Sequence, residues 1–158
     1  LQKKNQRGLR RRKMYEVWVD GSVRNGNPGF GGVGVYVEHN GVEVWRYSSL
    51  WGQDVSNNQV EYAAMIDALE YLESANTAKE DCIIHTDSAL VHGQLVKKWK
   101  CNFTHLRQLR DDAKRVLDSV PFKIEILWSN RLTNEIANEL AQAVTAEEKE
   151  RIKWSLMK

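Results

Sequence analysis

The 158 residues are 42% hydrophobic and 28% charged, a balance that suits one globular domain with a real core and excludes wholesale disorder or a fibrous repeat. No run approaches the roughly 18 consecutive apolar residues of a membrane helix. The opening LQKKNQRGLRRRK has no apolar stretch after its charges, so neither a membrane partner nor secretion is expected. Cys82 and Cys101 alone cannot build a disulfide framework or a zinc site, which points to a reducing compartment, cytoplasmic or nucleoid-associated.

The net charge of +2 hides an asymmetry. Residues 1–13 hold seven of the 23 Lys and Arg and no acid, which leaves 16 basic and 21 acidic residues, a net of −5, on the remaining 145. Such a basic arm either contacts a polyanion or is a solvated lead-in outside the domain. Met14 opens the first periodic segment and is a candidate natural start, so the expected division is an arm over 1–13 and one domain over 14–158.

In chain order, MYEVWV alternates β-branched and aromatic residues and predicts a strand ending at Asp20. GSVRNGNPG is turn chemistry. FGGVGVYVEH predicts a second strand and, after the turn at His39-Asn40-Gly41, VEVWRYSSLW a third, completing an antiparallel meander. From Asn58 to Leu72 the period becomes helical. CIIHTD is a short buried strand, with a helix from Ser88 to about Trp99, another over Leu106 to Ser119, a last strand FKIEILW, and a helix from Thr133 to Ala146 or further. The expected fold class is α/β, a mixed five-stranded sheet with its first three strands antiparallel and helices covering it.

Three acids fall at element borders. Asp20 ends a strand beside a glycine, a common place for a polar residue. Asp87 ends an apolar strand just before a helix, where it or Ser88 is a natural N-cap. Glu61 is more informative, because the residues 3, 4, 7, 8 and 11 positions later are Ala64, Met65, Ala68, Leu69 and Leu72. Glu61 therefore lies on the buried stripe, where an ionised carboxylate is costly unless paired or metal-bound. The bland alternative is a capping box, Asn58-x-x-Glu61. Acids packed together repel unless a divalent cation neutralises them, so the physical reading is a hard-metal site working on phosphate esters.

The set Asp20-Gly21-Ser22, Asn27-Pro28-Gly29, Asn57-Asn58-x-x-Glu61, Thr86-Asp87-Ser88 and Asn134-x-x-Ala137-Asn138-x-Leu140-Ala141 resembles ribonuclease H of type 1. Each motif alone is weak; five in order, spread over residues 14 to about 146, are specific. The resemblance implies cleavage of the RNA strand of an RNA–DNA hybrid with two Mg²⁺ ions, leaving a 3′-hydroxyl and a 5′-phosphate, with Mn²⁺ as a substitute. In that scheme Asp20 bridges both metals, and Glu61 and Asp87 hold the leaving-group metal. Glu61 also meets a ribose 2′-hydroxyl, and the second metal activates water. Asn27, Asn57 and Gln59 match minor-groove contacts to the hybrid, where only RNA offers a 2′-hydroxyl. Gly21, Ser22 and Ser88 complete the substrate-binding set, and a monomer is expected.

Two departures stand out. The loop before the last helix, Trp128-Ser129-Asn130-Arg131-Leu132-Thr133, has no histidine; Arg131 is similar to an arginine used by a subgroup, which assists proton transfer through water or product release. The fourth family acid is Asn138 here, which leaves one fewer charge for the metals. The segment Val96-Lys97-Lys98-Trp99-Lys100 suits the DNA strand, through Trp99 and Lys100, or is simply an exposed basic helix end. The four histidines lack ligand spacing, and Trp18 and Trp128 fall in strands, which places them in the core. Two readings stand beside the enzyme: a hybrid-binding module that has lost cleavage, and a ribonuclease H domain belonging to a larger reverse transcriptase.

Overall fold

The computed structural model describes residues 13–157, with side chains through residue 147. Of the basic arm only Lys13 falls among them; the rest lies outside the described residues. The strands are β1 (Met14–Arg24), β2 (Gly29–His39), β3 (Val42–Val55), β4 (Asp81–Thr86) and β5 (Ile124–Trp128). The helices are α1 (Asn57–Ala75), α2 (Ala89–Val96), α3 (Thr104–Ser119) and α4 (Glu135–Met157), the last preceded by a 3₁₀ turn at Arg131–Asn134. The sheet order is β3-β2-β1-β4-β5. The β1–β2 and β2–β3 pairs are antiparallel and the β1–β4 and β4–β5 pairs parallel, so the meander and the mixed sheet are both present.

Alternation along the central strands divides the sheet into two faces. Val17, Val19, Val33, Val35 and Val37 are all fully buried, and the register sets Val17 opposite Val37 and Val19 opposite Val35. Against this face lies α1, whose Val60, Ala64, Met65, Ala68, Leu69 and Leu72 are equally sealed. Each large apolar side chain buried here contributes about 1.5–3 kcal/mol. α3 closes the layer with Leu106, Ala113 and Val116. α4 covers the other face, over β1 and β2.

Two glycines let the helices approach. A Cβ on Gly21 would stand 2.5 Å from the Val60 carbonyl carbon and 2.6 Å from the Glu61 nitrogen. A Cβ on Gly34, which pairs with Asp20, would stand 2.1 Å from the Ala137 carbonyl oxygen. The two helices thus touch the sheet backbone to backbone beside Asp20 from opposite faces, α1 at Gly21 of β1 and α4 at Gly34 of β2.

Several elements depart from the sequence reading. β1 does not end at Asp20 but continues to Arg24; what ends at Val19 is its parallel pairing with β4, the last partners being Val19 and Thr86. β3 runs on to Val55. The β2–β3 turn is the expected one, with Asn40 at φ 52° and Gly41 at φ 82°, the positive values of a two-residue hairpin loop. The helix expected to reach Trp99 stops at Val96. Lys98 takes a positive φ of 58°, and the amides of Lys97 and Trp99 both donate to the Gly93 carbonyl. The positive-φ residue turns the chain back at the helix end and folds the Trp99 ring onto Gly93, where no Cβ intervenes. Trp128 is not core: it is 54% exposed. It shares the face of Ile126, as alternation demands, but lies past the end of the covered sheet. Trp18 is half-buried, stacked on His85 and tilted against Tyr36. Cys82 and Cys101 are buried free thiols.

Candidate active site

Asp20 is 2% exposed and sits where β1 loses its parallel neighbour, so its carboxylate faces the gap at the sheet's end. Glu61 reaches the same gap from the first turns of α1. The capping box that fixes this helix is not Asn58-x-x-Glu61. It is Ser56 with Gln59: Ser56 Oγ accepts from the Gln59 amide and Gln59 Oε1 accepts from the Ser56 amide at 2.8 Å. That box leaves the Glu61 carboxylate unused and occupies part of Gln59, one of the expected hybrid contacts. At β4 it is Ser88 that caps α2, its Oγ accepting from the Val91 amide at 3.2 Å. Asp87 is therefore free to face Asp20.

Carboxylate oxygens of Asp20, Glu61 and Asp87 all lie within 4.8 Å of one another. Crowding and burial act on their protons. The Asp20 carboxyl is pushed up to about 6, by burial first and then by the charge of Asp87. Burial, then Asp20 and Asp87, drives Glu61 well above the ordinary carboxylate range. The contact between the two carboxyl groups adds to the rise at Glu61 and partly offsets it at Asp20. Its Oε2 is buried with no hydrogen-bond partner. Oxygen-only donors converging around an unpartnered buried oxygen fit a hard divalent cation.

Asn138 arrives from α4 and donates its Nδ2–H to Asp20 Oδ2 at 2.6 Å. Asn134, one turn earlier and 1% exposed, donates to the Val19 carbonyl at 2.7 Å and so ties the 3₁₀ turn to β1. Arg131 is 82% exposed, its Nε 3.9 Å from Asp87 Oδ2.

A cleft of about 430 Å³ opens over the acids, with Gly21, Asn57, Glu61, Asp87, Ser88 and Arg131 in its walls. Asn27 stands at its rim, Oδ1 accepting from the Asn57 amide at 3.1 Å. Ser22 lies on β1 opposite Gly32. Trp99 and Lys100 do not line this cleft. Of the four further lining residues, Asn58 belongs to the Asn57-Asn58-x-x-Glu61 motif, whereas no motif marks Trp128, Ser129 and Asn130 as site residues. The only available signal was position, since they follow the β5 strand end in the segment that carries Arg131.

A mixed sheet of this order, with acids gathered where the β1–β4 pairing ends, is the architecture of the ribonuclease H fold. A family model described as RNase H matches residues 12–158. The ribonuclease H of Francisella tularensis subsp. novicida is 30% identical over 152 residues, 88% of this chain and 95% of that one. The RNase H1 of Halobacterium salinarum superposes with a TM-score of 0.76 at 33% identity, over 85% of this chain and 98% of that chain. An RNase H1 from compost, solved with an RNA/DNA hybrid, has the same fold at 24% identity, TM-score 0.74, over 82% of this chain and 94% of that one. The chain belongs to the ribonuclease H family, in its type 1 branch.

Proposed function

We propose that this chain cleaves the RNA strand of RNA–DNA hybrids through the site built on Asp20, Glu61 and Asp87. The observation that carries the reading is the convergence of three carboxylates within 4.8 Å, two of which, Glu61 and Asp87, line an open cleft. Asp20, Glu61, Asp87 and the Asn138 amide oxygen are the groups that would hold Mg²⁺, two ions when substrate is bound. The metal supplies charge neutralisation at the phosphate and a water that ionises near neutral pH. The chain's residues hold, orient and select. Asp20 sits between both flanking helices and would be the central ligand for the bound metal. Asn27 and Asn57, joined at the cleft rim, and the free amide of Gln59 face the minor groove, where a ribose 2′-hydroxyl distinguishes RNA. Gly21, Ser22 and Ser88 supply backbone and hydroxyl contacts. Trp99 and Lys100, beyond the cleft, follow the DNA strand. Arg131 is a permanent cation and cannot act as an ordinary base; it attracts phosphate and orders water beside Asp87. Residues 1–13 add phosphate contacts with no sugar readout.

A second reading, a module that binds hybrid without cutting it, is favoured by one contact, the Asn138 amide on Asp20. A strand-labelled RNA–DNA hybrid incubated at millimolar Mg²⁺, with duplex DNA alongside, tests the first reading. Slow cleavage confined to the RNA strand, with tighter binding of hybrid than of duplex DNA, is expected. Cleavage of either strand equally, or equal affinity for both duplexes, would sink it; hybrid preference with no cleavage even as Asn138→Asp selects the second reading.

A further inference from the structure

We propose that Trp128 is a substrate-contact residue, its indole face the platform on which a nucleotide beside the reacting phosphate rests. The inference deepens the hybrid-cleavage reading above. Four observations carry it. Trp128 is 54% exposed, an unusual cost for the largest apolar side chain when a strand end could carry a polar one. Its one polar atom is already used: Nε1–H donates to the Asp87 carbonyl oxygen at 3.2 Å. What remains open is apolar ring. Among the described residues no aromatic ring or cation packs on it, whereas Trp18 and Trp45 are stacked and Trp99 is folded onto Gly93. Finally, it lines the cleft over the acids together with Glu61, Asp87 and Arg131.

The anchoring is rigid on both sides. Trp128 pairs with Thr86 in the β4–β5 ladder, and the Ser129 amide donates to the Thr86 carbonyl at 2.9 Å. Thr86 precedes Asp87, so the platform and the carboxylate are fixed to one piece of backbone. An aromatic face held beside an acid cluster suited to hold a divalent cation is matched by the face of a base or sugar of the nucleic acid, and it is tolerant of sequence because every base presents such a face.

The test uses the full chain with Ca²⁺ replacing Mg²⁺, so that binding is read without fast turnover. Fluorescence anisotropy with a hybrid and with duplex DNA is measured for the wild type and for Trp128→Phe, Trp128→Leu and Trp128→Ala. The expected result is a rise in Kd of roughly 10-fold for the Leu and Ala variants and less than about 3-fold for Phe, which keeps the face and loses the N–H. The hybrid-induced change in tryptophan emission should shrink in Trp128→Phe, a signal that a purely structural role leaves in place. Unchanged Kd values in Leu and Ala overturn the proposal. So does a Phe variant that melts early and binds as poorly as Ala, since the N–H bond to Asp87 is then what matters. A wild type that prefers neither duplex defeats the hybrid reading but not this one, which the Ala-to-wild-type ratio still decides.

Discussion

The two flanks of Asp20 use the same device to different ends. On the α1 side Gly21 lets the helix backbone touch β1 and brings Glu61 in; on the α4 side Gly34 does the same for Asn138. One flank delivers a buried carboxylate whose Oε2 has no partner, the other an amide already donating to Asp20. Close approach fixes where a side chain arrives, and its chemical type fixes what charge it brings. A cation entering this site finds attraction on the α1 side. On the α4 side it must compete with a hydrogen bond.

The sharpest way to break the comparison is to remove the residue both flanks share. Asp20→Asn should lower hybrid cleavage by about 10³-fold or more, since positioned metal activation is lost. It should also stabilise the metal-free protein. The Asp20 carboxyl rises from 3.8 to about 6 on folding, so the folded state binds the proton more tightly than the unfolded chain. The stability this group contributes is full below pH ~4 and disappears as pH climbs through about 6. At pH 7 the metal-free variant should therefore be more stable by about 1–3 kcal/mol and melt at a higher temperature, with a flatter pH dependence. A thermal melt in chelator that is unchanged or lower would mean that the carboxylate is not strained by burial.

Converting the α4 flank to match the other comes next. Asn138→Asp replaces a donor to Asp20 by a fourth acid, so cleavage at millimolar Mg²⁺ should rise by ~10²-fold while the chelator-treated protein becomes less stable. Mn²⁺ should partly rescue the chain as it stands, because it accepts less ideal ligands. Equal rates for the two proteins would make Asn138 a tolerated ligand and remove the asymmetry.

The glycines sharpen the same contrast at smaller scale. Gly21→Ala and Gly34→Ala each force a methyl against helix backbone and should each cost about 1–3 kcal/mol of stability. Their effects on cation binding should diverge. Displacing Glu61 should weaken Ca²⁺ or Mn²⁺ affinity measured by titration strongly, whereas displacing Asn138, whose amide brings no charge, should weaken it much less. Parallel losses in both variants would show that the flanks act as one rigid unit.

What sequence could show follows the same divide. Glu61 was legible as a buried acid because the apolar stripe Ala64, Met65, Ala68, Leu69 and Leu72 repeats at helical spacing, and every member is buried. Asp87 and Ser88 compete for one capping role, and only the structure shows that Ser88 takes it. The cap at Ser56 was missed because Asn58-x-x-Glu61 offers the same pattern two residues later. Trp128 was misplaced for a physical reason: alternation tells which face a strand residue takes, but not whether a helix covers that face at that point. The bond between Asn138 and Asp20 joins residues 118 apart and has no local signature.

The smallest expected effect belongs to Arg131, the exposed member of the site. At 82% exposure and 3.9 Å from Asp87 Oδ2 its ion pair is screened by water and contributes about 0–1 kcal/mol, so Arg131→Gln should leave the melting temperature unchanged. If its part is to draw phosphate and order water, the charge matters more than the fork of the guanidinium. Arg131→Lys should then stay near wild-type turnover, while Arg131→Gln falls by about 10-fold or less. The shape of the pH–rate profile should be the same in all three proteins, because a group that stays protonated cannot move either limb. A new or shifted limb in Arg131→Gln would place this residue in the proton-transfer chain itself, and the exposed flank would then share in chemistry that the geometry assigns to the buried acids.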